Sequence, residues 1–176
     1  MEHGDDDRLG MIGTEWWQRG PVDGVPALLQ PVAHILLQVQ ESVGAMVNGL
    51  APAQWNERPA GVASVGFHVR HITGVVDRLF AYARGEALTP AQFAALRTEG
   101  AALSPDEIPA ALDALSSRIS AAVAELRVID TATLGEFRGV GRAQLPSTVI
   151  GCLVHGAEHS MRHVGQLSVT VRVLSS

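Results

Sequence analysis

Residues 146-PSTVIGCLVHGAEHSMRHVGQLSVTVRV-173 decide the fold class. Leu153, Val164, Leu167 and Val171 recur at the three-and-four spacing that lines one face of an α-helix. No proline interrupts the run after Pro146, and Pro146-Ser147-Thr148 supplies an opening turn. The spacing therefore predicts one long amphipathic helix from Pro146 to about Val173.

The same period governs most of the remaining chain. Val25, Leu28, Leu29, Val32, Ile35, Leu36, Val39, Val43, Met46 and Val47 predict a first helix within Pro21–Leu50. Pro26 and Pro31 delay its regular part to near Leu29. Val65, Ile72, Val76, Leu79 and Ala83 predict a second helix from about Val62 to Arg84, closed by Gly85. Thr89-Pro90 starts a short helix to about Glu99, with Thr as cap and Pro in the first turn. Ser104-Pro105-Asp106-Glu107 has the signature of a capping box and opens a third long helix to about Arg127. Residues 128–145, with Gly135, Gly139 and Gly141, read as irregular, with room for a brief extended segment. Four long amphipathic helices predict an all-α four-helix bundle formed by residues 14–176, after a flexible arm at 1–13.

Composition bounds the function. A chain of 176 residues, 47% hydrophobic and 18% charged, can bury one core without staples. The basic residues are all arginine, and a net charge of −5 gives no electrostatic case for nucleic acid or an anionic membrane. No segment approaches the roughly 18 apolar residues of a membrane span. The start, MEHGDDDRLGMIG, is acidic and lacks the apolar region of a secretory signal, so a cytoplasmic protein is expected. The single Cys152 excludes an internal disulfide and lies in an apolar run, which predicts a core residue. Trp16, Trp17 and Trp55 are expected to anchor the N-terminal segment and the first loop.

Seven histidines are the unusual feature. His155, His159 and His163 fall at i, i+4 and i+8, a ridge on one helical face. Imidazoles four apart can converge on one cation beside the helix. The second helix adds His68 and His71. A ring from it would make a three-His face with open positions, the arrangement of a catalytic metal rather than a closed structural one. At roughly 100° per residue, His159 and His163 lie about 80–120° from their apolar stripe, His71 about 110° and His68 about 50°. The ridge thus borders the core, and the angles favour His68 as the more buried of its pair. His34 points away from the stripe of the first helix, and His3 lies in the arm.

Three segments together resemble the DinB/YfiT-like metalloenzymes. They are EWWQRGPVDGVPALLQPVAHILLQ, ASVGFHVRHITGVVDRLFAYARGEALTPAQ and GRAQLPSTVIGCLVHGAEHSMRHVGQL. The resemblance spans residues 14 to 173 and implies a bundle in up-down-down-up order, a homodimer and a divalent metal (nickel, zinc, iron or manganese) held by three His. By motif those are His71, His159 and His163, with His68 and His155 as neighbours or substitutes. Val164 stands where many relatives carry Arg. Characterised members transfer low-molecular-weight thiols such as bacillithiol or mycothiol, or isomerise with mycothiol.

That likeness implies a thiol S-transferase, because a metal with neutral ligands would lower the pKa of a bound thiol. A small-molecule thiol and an electrophile are then the expected partners. Gln166 and Arg162 near the ridge, and Arg78 as a receiver for a substrate carboxylate, are the candidate helpers. Metal-dependent hydrolysis is the alternative, but Glu158 points about 100° from its neighbour His159, leaving that reaction without an evident base. A non-catalytic, stress-related metal-binding bundle is the third.

Overall fold

A computed structural model describes residues 13–176; apart from Gly13, the expected arm lies outside the described residues. Helix α1, Gln30–Val47, follows a 3-10 turn at Ala27–Leu29, with Pro31 in its first turn. It buries Val32, Ala33, Leu36, Val39, Val43 and Val47. Leu28 is an exception to the expected stripe. It sits in the 3-10 turn, whose tighter winding points it outward, 68% exposed.

Helix α2, Val65–Ala83, is capped by Ser64, whose hydroxyl accepts from the Phe67 N–H at 3.3 Å. Its buried line is Val65, Val69, Ile72, Val76 and Phe80. It ends where Gly85 takes φ +78°, letting the Glu86 N–H reach the Ala81 carbonyl at 2.9 Å. Helix α3, Pro90–Thr98, has the expected Thr89 cap and Pro90 in its first turn, with Gln92 completing a capping box, but buries none of its residues. Helix α4, Glu107–Leu126, begins later than the Ser-Pro-Asp-Glu signal suggests. Only half of that box forms, with the Glu107 carboxylate accepting from the Ser104 N–H at 2.7 Å.

The irregular stretch contains an antiparallel hairpin, β1 at Phe137–Val140 and β2 at Leu145–Thr148. Phe137 lies opposite Thr148, and Val140 opposite Leu145. Pro146 and Ser147 belong to β2, so helix α5 spans Val149–Leu174, with the Thr148 hydroxyl capping Gly151 at 3.0 Å. The described chain is thus mostly helical with one small sheet.

Helices α4 and α5 each pack against both α1 and α2. Leu36, Val39 and Val43 of α1 meet Ile72, Val76 and Phe80 of α2, Ile119 and Leu126 of α4, and Leu153 and Leu167 of α5 in one core. Full burial of each large side chain contributes about 1.5–3 kcal/mol. That shared core fixes α2 beside α5, and with it the two histidine-bearing faces. No helix of the described residues is long and apolar enough to cross a membrane.

Trp55 is buried under the α1–α2 loop, as expected of an anchor. Trp16 is pinned to α1 through a 2.6 Å bond to Glu41, with Arg19 stacked on its ring at 4.8 Å. Trp17 is no anchor. It is 64% exposed and bonds only Glu15, because the short turn that carries it turns one indole inward and the next out.

Candidate metal centre

His68 and His71 stand on α2, three residues apart and on different sides of the apolar line. His68 falls between Val65 and Ile72 on the buried face and is 1% exposed. His71 is turned toward α5, with 18% of its side chain exposed. On α5, His159 and His163 are one turn apart and both half-buried. The His71 Nε2 lies 3.1 Å from the His159 Nε2, which lies 3.2 Å from the His163 Nε2. One ring nitrogen from each of the three falls within 4.8 Å of the others, and His71, His159 and His163 form a group able to hold a metal ion.

The donor chemistry fits a cation. Two nitrogens each about 2.1 Å from one ion lie about 3.0–3.4 Å apart for angles between octahedral and tetrahedral. The observed 3.1 and 3.2 Å fall in that range. The Glu99 carboxylate can only accept, so His71, 2.7 Å away through Nδ1, carries its proton there and offers a lone pair at Nε2. The buried Nδ1 of His159 has no hydrogen-bond partner among the described residues. If it holds the proton, bare lone pairs of His71 and His159 face each other; if it does not, a buried acceptor is left unpaired. A shared cation at the three Nε2 atoms relieves that lone-pair conflict, which no arrangement of protons resolves fully.

Burial favours the neutral form of His68, His159 and His163. Desolvation, helped by the neighbouring His71, pushes His68 down to about 4. Desolvation with His71, His68 and His159 close by does the same to His163, also to about 4. His159 is lowered by burial and then by His71 and His155. Neutral rings have lone pairs to give.

Around the three rings, His68 joins its Nδ1 to the His163 Nδ1 at 3.1 Å, touching the group from behind rather than entering it. Phe67 stacks on His71 with centroids 5.0 Å apart and planes 13° from parallel, and presents its ring toward His163 at 6.1 Å. Glu99, 5% exposed at the end of α3, bonds both His71 and Arg78, each at 2.7 Å. Burial alone would raise its carboxyl, but the bonds from His71 and Arg78 outweigh it and hold Glu99 below the usual carboxylate range.

The other candidates lie outside the three-ring group, although the His155 ring is 5.3 Å from that of His159. His155 is exposed, with its Nδ1 3.6 Å from Glu158. His34 bonds the Gly20 carbonyl at 3.0 Å on another side of the molecule, and His3 lies outside the described residues. Arg162 grips Glu158 on the surface and is 54% exposed, while Gln166 is exposed. Arg78, expected as a receiver for a substrate carboxylate, bonds a carboxylate of the chain itself. It is 9% exposed, and its Nη1 donates to Glu99 at 2.7 Å. Cys152 is buried, its Sγ 3.7 Å from the Ser147 hydroxyl.

Sequence reasoning missed Glu99 and Phe67. Phe67 directly precedes His68 and lies one turn before His71, a spacing that could have flagged it. Glu99 is 28 residues from His71, and no spacing rule connects them.

A comparison with curated proteins finds no match. The profile of the DinB superfamily matches residues 35–167, from within α1 to within α5. That span covers well over half of the sequence and includes every residue of the three-His group; the chain belongs to the DinB superfamily.

Proposed function

We propose that the protein is a divalent-metal-dependent S-transferase that joins a low-molecular-weight thiol, of the bacillithiol or mycothiol type, to an electrophilic substrate. The observation that supports the reading is that His71, His159 and His163 each bring one ring nitrogen to within 4.8 Å of the others, with Nε2 atoms 3.1 and 3.2 Å apart in two of the three pairs. A divalent ion there, with only neutral ligands, would supply a positive charge that holds a thiol as thiolate at neutral pH. Nickel, zinc, iron and manganese all accept three imidazoles, so the donor set admits each.

The chain's own residues do the positioning. Phe67 walls one side of His71 with an apolar face, suited to holding water away and packing against a substrate stem. Glu99 and His68 hold the rings of His71 and His163 from behind. The protein's single thiol is buried in the core, so the sulfur nucleophile is a co-substrate. Hydrolysis is disfavoured by its need for a free carboxylate base. Both oxygens of Glu99 are engaged, and Glu158 is held by Arg162 on the surface.

In keeping with the superfamily resemblance, the four long helices are proposed to form an up-down-down-up bundle that pairs as a homodimer, which light scattering tests directly. Metal analysis of protein purified without chelator tests the site. A stoichiometric divalent ion that His159→Ala removes is the expected result, and an empty site that no added metal fills refutes it. Turnover of a chlorinated aromatic electrophile with bacillithiol, mycothiol or glutathione tests the reaction. No rate above background with any thiol would leave a metal-binding bundle without transferase activity.

A further inference from the structure

Glu99 is an unusual investment for a helix that buries nothing of its own. Helix α3 leaves Phe93 and Leu96 more than 40% exposed, yet its C-terminal end delivers a carboxylate to the side of α2. The ties along α3 and at its end are polar, Gln92 to Asp77 at 2.8 Å, Arg70 to the Ala101 carbonyl, and Glu99 to His71 and Arg78; the first core residue after α3 is Leu103. The backbone of α2 is cut away to receive the carboxylate. A Cβ on Gly74 would collide with the Glu99 Oε1 and the Arg78 Nη1.

We propose that Glu99, carried in by α3 and held by Arg78 across Gly74, is a positioning residue that fixes the His71 proton on Nδ1 and so turns the Nε2 lone pair toward His159 and His163. A carboxylate has two acceptor oxygens and no donor, and here one oxygen serves each partner. His71 has only one proton to give when neutral, so the bond to Glu99 selects its tautomer. A carboxylate behind a metal-binding imidazole also raises its basicity, and such partners are worth 10–100-fold in metal affinity. Arg78 has a part in this: it prevents a neutral amide from doing the same work.

The test follows from that asymmetry. In Glu99→Gln the side chain has one acceptor, and the Arg78 cation claims it. The amide NH2 then faces the His71 Nδ1, which must become an acceptor and move its proton to Nε2. Nitrogen-15 NMR of the metal-free protein reads the tautomer without any ligand. We expect Nδ1–H in the wild type, Nε2–H in Glu99→Gln, and return to Nδ1–H in Arg78→Met/Glu99→Gln, where the amide oxygen is free for His71. Circular dichroism confirms that each variant is folded. Titration with zinc alone should show Glu99→Gln weaker by 10–100-fold and the double variant partly recovered. An unchanged His71 tautomer in folded Glu99→Gln overturns the proposal, as does a double variant that fails to restore it. The affinity arm rests on the metal reading given above, but the tautomer arm does not. A wild type that binds no zinc would refute that reading and leave the NMR result to decide this one.

Discussion

Gly74→Ala inverts a common expectation. In a helix interior, Ala is ordinarily more stable than Gly by about 0.5–1 kcal/mol. At Gly74 the added methyl would meet the Glu99 carboxylate and the Arg78 guanidinium, both nearly buried. The backbone of α2 cannot retreat, because Ile72 and Val76 fix it in the core. What yields is the Glu99 carboxylate with the end of α3 that carries it, since none of the residues of α3 itself is buried. Its movement breaks the Glu99 bonds to His71 and Arg78. Bonds to charged groups contribute about 1.5–3 kcal/mol each, but here they share one carboxylate and are not additive, so about 3 kcal/mol is lost in all. Subtracting the helix gain leaves a net destabilisation of about 2 kcal/mol. For a domain of this size that lowers Tm by roughly 4–8 °C. Urea denaturation of metal-free protein, read by circular dichroism, measures it. A Gly74→Ala protein more stable than wild type by about 1 kcal/mol would show that the carboxylate moves aside freely and that the cradle holds nothing.

Added divalent metal should raise Tm in wild type, by the equivalent of about 2.7 kcal/mol at a hundredfold excess over Kd, and leave His159→Ala unmoved; differential scanning fluorimetry reads both. Stability of the metal-free protein should also depend on pH in a defined window. His68 and His163 titrate near about 4 when folded, against about 6.5 in the unfolded chain, so unfolding takes up protons between those values. Stability is therefore full above about pH 6.5 and falls on acidification toward pH 4, with an uptake of about two protons at pH 5; denaturation at several pH values that shows no uptake would contradict it. Arg162→Ala, which removes an exposed pair with Glu158, should leave the urea midpoint and the zinc affinity essentially unchanged, as denaturation and titration would show.

The long helices were legible because burial writes itself into sequence at a fixed period. Val65, Val69, Ile72 and Val76 face the core for the reason they recur. The same angular arithmetic anticipated the burial of His68 over His71. It could not say which ring would meet His159, since that depends on how α2 and α5 lie against each other, and the motif resemblance supplied His71 instead. Local caps were read less well where turn chemistry competed. Ser104 and Glu107 share only one of two cap bonds, and Pro146 entered a strand because the hairpin pairs it with Gly139. Glu99 was out of reach for a different reason. Its contact with His71 joins the far end of a connecting segment to a helix face, and neither period nor spacing encodes that approach. The one local trace was Gly74, a glycine inside an otherwise regular helix, whose meaning depends on what packs above it.

Charge accounting around the cluster brings these points together. The three rings are neutral when they present lone pairs, and the Glu99 negative charge is matched by Arg78 at 2.7 Å. The immediate surroundings built by the chain therefore carry almost no net charge, in contrast to a site where carboxylates are themselves ligands. A cation bound there keeps its charge uncompensated by the protein, and an anionic partner from solution is favoured to complete it. The chain cannot provide that anion as sulfur, because its one cysteine faces Ser147 inside the core. Among the described residues oxygen is withheld too, since both oxygens of Glu99 are occupied and Glu158 turns outward to Arg162. By this reasoning a second carboxylate behind the rings, as His68→Glu would place against the His163 Nδ1, should bind metal more tightly yet accept an external thiol less well. Parallel titrations with zinc and with thiol on the loaded protein would show whether the two affinities move in opposite directions, and a variant in which both rise together would break the argument.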